Sequence, residues 1–209
     1  MCQNPRDFDD WYKSHPHYYS VPSDGLIKCL KDYAIGPCKT LDVGCGQGRN
    51  ALWLASKGFQ VAAIDNSHFA IQALKKAANA QRLRIDARLT DIRSFDFGVG
   101  LFDLIVIQTT LNHLDLDYIP VCCEKIVESL ALQGVIYCVV FTTEDPGFKA
   151  HSEIASECAN MVKHYFSSGE LRRLFSKLEI LEYKEYTKAD NTHGPMHFHG
   201  KAKLIGRKT

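Results

Sequence analysis

The sequence lacks a long hydrophobic run. A helix needs about 20 consecutive, mostly apolar residues to span a bilayer, and no stretch of this chain approaches that length. The first ten residues are polar and include Arg6, Asp7, Asp9 and Asp10, whereas a secretory signal has an apolar centre. We therefore expect a cytoplasmic protein with no membrane partner.

An excess of charge is also absent. The chain has 25 Lys and Arg residues against 24 Asp and Glu residues, which gives a formal net charge of +1. Proteins that bind nucleic acids usually carry a basic surface, so we expect no nucleic-acid partner. The expected partner is a small molecule, and the sequence leaves both a monomer and a homodimer open as oligomeric states.

The eight cysteines include no C-x-x-C pair, which is the spacing that a zinc ribbon requires. Cys29, Cys45, Cys123 and Cys138 fall inside apolar, periodic segments. A disulfide framework is typical of small secreted domains with weak cores. We therefore predict reduced, mostly buried thiols and no metal site.

Strand-like and helix-like segments alternate from Lys39 onward, and this pattern predicts parallel strands joined by helices. The predicted class is α/β, with a doubly wound, mostly parallel, seven-stranded sheet and helices on both faces. We expect one domain over residues 1–209, with a helical, lid-like segment at 1–37 and the α/β core at 38–209. The run 102–108 is almost continuously apolar, so we place it in the middle of the sheet. The predicted strands are 40–43, 59–65, 85–89, 102–108, 135–141, 179–186 and 197–205, and the helices include 50–57, 118–130, one capped by Ser67 and one opened by Ser167 and Glu170.

A glycine-rich loop lies between the first strand and the first helix of this core. It reads DVGCGQGR, from Asp42 to Arg49, and α/β folds bind ligands at such strand ends. Glycines let the backbone turn sharply and approach a ligand closely. A dinucleotide loop needs a third glycine where Arg49 stands, and no phosphate-binding G-x-x-x-x-G-K-[ST] loop occurs.

Acidic residues follow the second and third predicted strands. Asp65 ends the second strand ahead of Asn66, at a position where a carboxylate accepts hydrogen bonds from both hydroxyls of a ribose. Asp91 follows the third strand, where its carboxylate would accept from an adenine amino group while Ile92 packs on the ring. The alternatives are a capping role for Asp65 and a surface turn for Asp91.

Together, the segment from Asp42 to Gly48, the residues Asp65 and Asp91, and the strand 102–108 resemble the class I S-adenosylmethionine-dependent methyltransferases. The run LDVGCGQGRNA that begins at Leu41, the sequence Gly-Glu-Leu at 169–171 and the ending 200–208 look like the tellurite-resistance methyltransferases of the TehB type. The resemblance implies a Rossmann-like methyltransferase fold and S-adenosylmethionine as cofactor, with S-adenosylhomocysteine as product.

The resemblance also implies roles for particular residues. In such enzymes the motif's acidic residue and glycines hold the methionine part of the cofactor, which points to Asp42, Gly44, Gly46 and Gly48. Arg49 would contact a carboxylate or an oxyanion. The amino-terminal segment often closes over the cofactor; the aromatic and proline residues there form either such a lid or a patch packed on the sheet edge. They are Trp11, Tyr12, Tyr18, Tyr19 and Pro22.

Methyl transfer from a sulfonium depends mainly on positioning, and a base matters only when the acceptor arrives protonated. His113 follows the central strand, whose last residue, Gln108, we expect at the cofactor. His193 and His197 are the other candidate catalytic residues. His197 and His199 share one face of the last strand, which we interpret as solvated because their spacing is not that of a zinc site.

The predicted function is methyl transfer to a small acceptor, either a chalcogen oxyanion or another toxic compound. Two alternatives remain at the level of sequence. One is an NAD(P)-dependent oxidoreductase, which conflicts with Arg49 at the position of the third glycine. The other is a module that binds S-adenosylmethionine without catalysis, since a cofactor motif carries no information on the acceptor site.

Overall fold

The computed structural model of the chain describes residues 8–15, 21–148, 161–190 and 196–209. Within those ranges, every helix is too short or too polar to cross a bilayer. The seven strands form one sheet in the order β3-β2-β1-β4-β5-β7-β6. This order confirms the predicted α/β class and the mostly parallel, seven-stranded sheet, and it gives the strand at 102–108 the central position.

The described residues up to Phe95 form a compact unit with three parallel strands. Leu41 of the first strand lies opposite Ala62 of the second, and Val61 lies opposite Ile85 of the third. Its elements are α1 (Phe8–Ser14), α2 (Asp24–Asp32), β1 (Lys39–Val43), α3 (Arg49–Ser56), β2 (Gln60–Asp65), α4 (His68–Ala80) and β3 (Ile85–Leu89).

Ser67 caps α4, as its sequence predicts. The Ser67 hydroxyl oxygen accepts a hydrogen bond from the Ala70 N–H at 3.1 Å and donates to Asp9 Oδ1 at 2.7 Å. The same Asp9 oxygen accepts from the Phe69 N–H at 3.1 Å. Asp9 of α1 therefore extends the cap and joins α1 to the start of α4.

The described residues from Asp96 onward form a second compact unit. In it β4 and β5 are parallel, whereas β7 runs antiparallel to both β5 and β6. Its elements are β4 (Phe102–Gln108), a 3₁₀ turn (Leu111–His113), α5 (Tyr118–Ser129), β5 (Leu130–Phe141), a second 3₁₀ turn (Pro146–Phe148), α6 (Glu170–Leu174), β6 (Glu179–Asp190) and β7 (His197–Arg207). The core of this unit includes the completely buried residues Leu104, Ile105, Val106 and Ile107.

Several boundaries differ from the prediction, and β6, for example, ends at Asp190 rather than at 186. The strand β5 begins at Leu130, directly after α5, rather than after Gly134. At Gly134 a methyl group would lie 2.8 Å from the Ala131 carbonyl oxygen, so this glycine permits a close backbone approach within the strand. The helix α6 begins at Glu170, three residues after Ser167, although the Ser167 N–H still donates to Glu170 Oε2 at 2.8 Å.

The cysteines among the described residues are mostly buried, as predicted. Cys29, Cys45, Cys123 and Cys138 are free and buried. Burial raises the pKa of the Cys45, Cys123 and Cys138 thiols, because a thiolate is poorly solvated among apolar groups. These four side chains therefore act as small apolar core residues.

Candidate functional site

The loop after β1 has an alternating left-handed backbone. Gly44, Gly46 and Gly48 adopt φ values of 66°, 53° and 92°, which only glycine adopts without steric cost. The Gly48 N–H donates to the Cys45 carbonyl at 2.9 Å, and Gly48 then caps α3. The sequence therefore folds here into a tight turn from a strand into a helix N-terminus.

Two of these glycines also lack room for a side chain. A methyl group on Gly46 would lie 2.6 Å from Tyr12 Oη, and one on Gly48 would lie 2.3 Å from Leu74 Cδ1. Tyr12, on α1, thus lies directly against the loop. The contact with Leu74 of α4 by itself explains why position 48 needs a glycine. The contact of Gly48 with the cofactor stays a prediction.

Asp42, the acidic residue of the motif, is buried at the end of β1. Its Oδ2 atom has no hydrogen-bond partner among the described residues. Burial raises the pKa of Asp42 to about 7, while the charge of Arg49 and the backbone N–H of Ala51 oppose the shift. A buried carboxylate oxygen without a partner is costly, so this atom is suited to receive a hydrogen-bond donor or cation from a ligand.

Asp65, at the end of β2, joins the glycine loop to α4. Its Oδ2 accepts from the Gly46 N–H and its Oδ1 from the Ser67 N–H, both at 2.8 Å. Burial raises the pKa of Asp65, while these backbone N–H groups oppose the shift. A carboxylate has about four acceptor positions, so Asp65 retains the capacity to accept from a ligand. The neighbouring Asn66 is exposed.

The Asp91 carboxylate is paired with the side chain of Arg93, two residues further along the same turn. Its Oδ1 accepts from the Arg93 N–H at 2.8 Å and from Arg93 Nε at 2.9 Å, and its Oδ2 accepts from Arg93 Nη2 at 2.6 Å. Ile92 is half-buried beside it. This geometry is that of the surface-turn alternative, and the adenine contacts of Asp91 and Ile92 stay predictions.

A second group of predicted site residues lies in the unit from Asp96 onward. Gln108 ends β4 half-buried, and the following Thr109 has a φ of 59°. His113 lies in the 3₁₀ turn, with Nδ1 at 2.9 Å from the Met161 carbonyl oxygen. Because a carbonyl only accepts, Nδ1 carries the proton and Nε2 is the accepting nitrogen. Burial lowers the pKa of His113, which favours the neutral imidazole.

Asn112 fixes this turn to two other segments. Its Nδ2 donates to the carbonyls of Phe141 and His164 at 3.0 and 2.7 Å, and its Oδ1 accepts from the Phe141 N–H at 2.9 Å. Asn112 is completely buried. The three bonds are partly buried, and they hold the turn that carries His113 against the end of β5.

The prediction of a solvated histidine face on β7 is wrong. His197 and His199 are 6% and 2% exposed, and their Nε2 atoms are 3.1 Å apart. His199 Nδ1 lies 3.0 Å from Oδ2 of the buried Asp145, and the Phe141 ring stacks on the His199 ring at 4.8 Å. Alternation along β7 correctly predicts that the two histidines share a face, but that face packs on Phe141 and Asp145 rather than on solvent.

The remaining predicted site residues are the candidate catalytic histidines of the β7 region and the aromatic and proline residues of the predicted lid. His197 lies beside His199, whereas His193 lies outside the described residues, as do Tyr18 and Tyr19 of the predicted lid. Trp11 and Tyr12 of that lid are buried on α1, and Pro22 is half-buried.

Two carboxylates near the histidines, Asp145 and Asp190, are not among the predicted site residues. Asp190 lies directly opposite His197 in the ladder between β6 and β7. Asp190 lies four residues beyond the predicted end of this strand at 186, so the predicted bounds gave no signal for it, whereas the observed β6 extends to Asp190. Asp145 lies 54 residues before His199 in the sequence, so only the fold reveals its position.

Known proteins match both the sequence and the fold. The family model described as tellurite resistance protein TehB matches residues 7–194. A probable S-adenosyl-L-methionine-dependent methyltransferase TehB from Haemophilus influenzae is 29% identical over 153 residues, which are 72% of this chain and 49% of the relative. Hemagglutinin 1 from Eikenella corrodens is 27% identical over 151 residues, 72% of this chain and 47% of that protein. The chain spans about half the length of the curated relatives it matches.

Solved structures give the same fold. The crystal structure of TehB from Haemophilus influenzae superposes with a TM-score of 0.78 at 24% identity, covering 96% of this chain and 67% of that one. The PH0226 protein from Pyrococcus horikoshii superposes with a TM-score of 0.70 at 15% identity, covering 97% and 100%. At these identities the superpositions show a shared architecture.

Proposed function

Because this chain belongs to the TehB family of tellurite resistance proteins, we propose that it transfers a methyl group from S-adenosylmethionine to a small-molecule acceptor. The observation that carries the proposal is the buried Oδ2 atom of Asp42, which has no hydrogen-bond donor among the described residues. This atom lies in β1, the strand directly before the loop of left-handed glycines. The name of the Haemophilus influenzae relative, which specifies this cofactor, supports it.

The residues present fit the proposed cofactor. S-adenosylmethionine carries an ammonium group on its methionine part, and the Asp42 carboxylate is suited to accept a charge-assisted hydrogen bond from it. Gly44 and Gly46 carry no side chain that would keep a ligand away from the loop backbone. Asp65, with unused acceptor positions, would accept from the ribose hydroxyls. We propose that the other predicted residues also contact the cofactor. They are Gly48, Arg49, Asn66, Asp91, Ile92 and Gln108.

When bound, S-adenosylmethionine supplies a methyl group on a sulfonium, which is already a good leaving group. The chain's own contribution is then to orient the acceptor and, for an acceptor that arrives protonated, to take up its proton. His113 is suited to this step, because the Met161 carbonyl holds the proton on Nδ1 and leaves Nε2 as the accepting nitrogen. His193 and His197 are the further proposed catalytic residues.

The proposed acceptor is a chalcogen oxyanion of the tellurite or selenite type. The description of the matching family, tellurite resistance, supports this choice. The balanced charge of the chain supports a small acceptor over a polyanion. A cytoplasmic location, action as a monomer or homodimer, and a single domain with residues 1–37 as a lid are parts of the same proposal.

Calorimetric titration of the purified chain tests the cofactor. We expect S-adenosylmethionine and S-adenosylhomocysteine to bind with micromolar affinity and NAD to show no binding. Asp42→Asn should weaken both adenosyl ligands at least tenfold, because the ammonium group loses its anionic partner. Asp86→Asn is the matched control, since Asp86 is exposed and paired with Arg88 on β3. Binding of NAD alone would instead support the oxidoreductase alternative.

A further inference from the structure

A group of potential metal ligands lies where β6 ends and β7 begins. Asp190, His197 and His199 each offer one ligand atom, and these atoms lie within 4.8 Å of one another. From this group we infer that the three residues form a binding site for a divalent transition metal of the zinc type, with Asp145 orienting His199. Metal binding by these residues does not require the methyl transfer proposed above, although His197 takes part in both proposals.

The separation of the two histidine nitrogens is that of metal ligands. Zinc binds imidazole nitrogen at about 2.0–2.1 Å in tetrahedral geometry, which places two such nitrogens roughly 3.3 Å apart. The Nε2 atoms of His197 and His199 are 3.1 Å apart. An ion bound to both nitrogens would lie to one side of the line that joins them, and its binding would release the proton that they now share to solvent.

The sheet explains why the three residues converge. His197 and His199 are two positions apart on β7, so both point to one face. Asp190 is directly opposite His197 on β6, and opposed residues in an antiparallel pair point to the same face. Imidazole and carboxylate on rigid strands form a mixed nitrogen and oxygen ligand set of the kind that zinc accepts.

Asp145 supplies the outer partner that metal-binding histidines usually have. Its Oδ2 lies 3.0 Å from His199 Nδ1 and accepts from the Gly200 N–H at 3.1 Å, while its Oδ1 accepts from the Gly147 N–H at 2.8 Å. An ionised carboxylate only accepts, so His199 carries its proton on Nδ1. His199 Nε2 therefore presents a lone pair towards His197 Nε2.

The surroundings hold this arrangement rigidly. A methyl group on Gly200 would lie 2.4 Å from the Asp145 backbone nitrogen, so β7 approaches the segment of Asp145 as closely as a glycine allows. The Phe141 ring covers His199 on one side. Because the two histidine side chains are buried and already held in place, they lose little conformational entropy when an ion binds.

Lys201 competes with the ion for Asp190. Its Nζ lies 3.8 Å from Asp190 Oδ2, so the carboxylate must turn from the ammonium to the metal. Three protein ligands leave the fourth position of a tetrahedral ion open. An anionic acceptor oxygen would fill that position, a step that rests on the proposed methyl transfer, whereas metal binding itself does not.

Titration of the full chain with Zn²⁺ by calorimetry, and with Co²⁺ by visible absorption, tests the site without any activity assay. We expect one ion per chain and the intense visible bands of tetrahedral Co²⁺ without a thiolate charge-transfer band. His199→Ala should weaken binding at least 100-fold and Asp190→Asn at least tenfold. Asp145→Asn should weaken it about 10- to 100-fold, as loss of an outer partner does.

Two controls keep the result interpretable. His68→Ala removes an exposed histidine of α4 and should leave the affinity unchanged. Asp190 lies at the end of a strand and its side chain is 13% exposed. Asn has nearly the same size and shape, so Asp190→Asn should fold, which circular dichroism checks. Absence of saturable binding, a thiolate band, or equal affinity in Asp190→Asn and the unmodified chain would overturn the inference.

Discussion

Gly46 donates its backbone N–H to Asp65 Oδ2 at 2.8 Å, and this bond ties the glycine loop after β1 to the end of β2. The same carboxylate accepts from the Ser67 N–H at the start of α4. One side chain thus fixes the loop and orients the acidic group that we propose for the ribose. The two roles predicted as alternatives for Asp65, turn stabilisation and ligand binding, are compatible because its two oxygens have about four acceptor positions.

Replacement of this carboxylate should affect binding and stability together. We expect Asp65→Ala to weaken S-adenosylmethionine at least tenfold and to lower the free energy of unfolding by about 1–3 kcal/mol, because two backbone N–H groups lose their acceptor. Calorimetry and urea denaturation measure the two effects. An affinity equal to that of the unmodified chain would remove Asp65 from the cofactor site.

The Asp42 carboxyl should make stability depend on pH. Its pKa is raised to about 7, above the value of about 3.9 in an unfolded chain. The folded state therefore binds the proton more tightly, and the free energy of unfolding falls as pH rises from about 4 to about 7, by up to 1.4 kcal/mol per pH unit. Asp42→Asn should remove this slope in denaturation measured across that interval. An unchanged slope in the variant would assign it to other groups.

Cofactor affinity should show the opposite trend with pH. Ionised Asp42 is the partner proposed for the ammonium group, so S-adenosylmethionine should bind more tightly at pH 8 than at pH 6. The Asp42→Asn variant should bind weakly at both values. Equal affinity of the unmodified chain at pH 6 and pH 8 would contradict the proposed contact.

Tyr12 and Gly46 should be energetically coupled. We expect Gly46→Ala to destabilise the chain, since the new methyl group meets Tyr12 Oη at 2.6 Å and the backbone has a φ of 53°. Tyr12→Phe removes that oxygen and should restore part of the loss, which a double-mutant cycle of unfolding free energies measures. Strict additivity would mean that backbone strain alone explains the glycine.

Asn112 should contribute strongly to stability. Its completely buried side chain makes three hydrogen bonds, to Phe141 and His164. Asn112→Ala should lower the free energy of unfolding by about 2–4 kcal/mol, because the partners are left unpaired. Asn79→Ala, an exposed position on α4, should change it by about 0.5 kcal/mol or less. A similar effect of the two substitutions in chemical denaturation would refute this role.

The sequence predicts the sheet and the glycine loop after β1 well because both depend on local patterns. Alternation and apolar runs place all seven strands, and the spacing of Gly44, Gly46 and Gly48 marks a turn that no other residue type forms easily. The surroundings of His197 and His199 escape such patterns. Their burial depends on Asp145, 54 residues away, and on Asp190 across a strand pair, which are contacts that the whole fold creates.

The most direct test of the central claim is an assay for S-adenosylhomocysteine after incubation with S-adenosylmethionine and a panel of acceptors that includes tellurite and selenite. If the chain transfers the methyl group, S-adenosylhomocysteine and the methylated acceptor should form in equal amounts. At subsaturating S-adenosylmethionine the rate should fall at least tenfold in Asp42→Asn and stay unchanged in Asp86→Asn. Tight binding of S-adenosylmethionine with no S-adenosylhomocysteine for any acceptor would contradict the claim and favour a non-catalytic binding module.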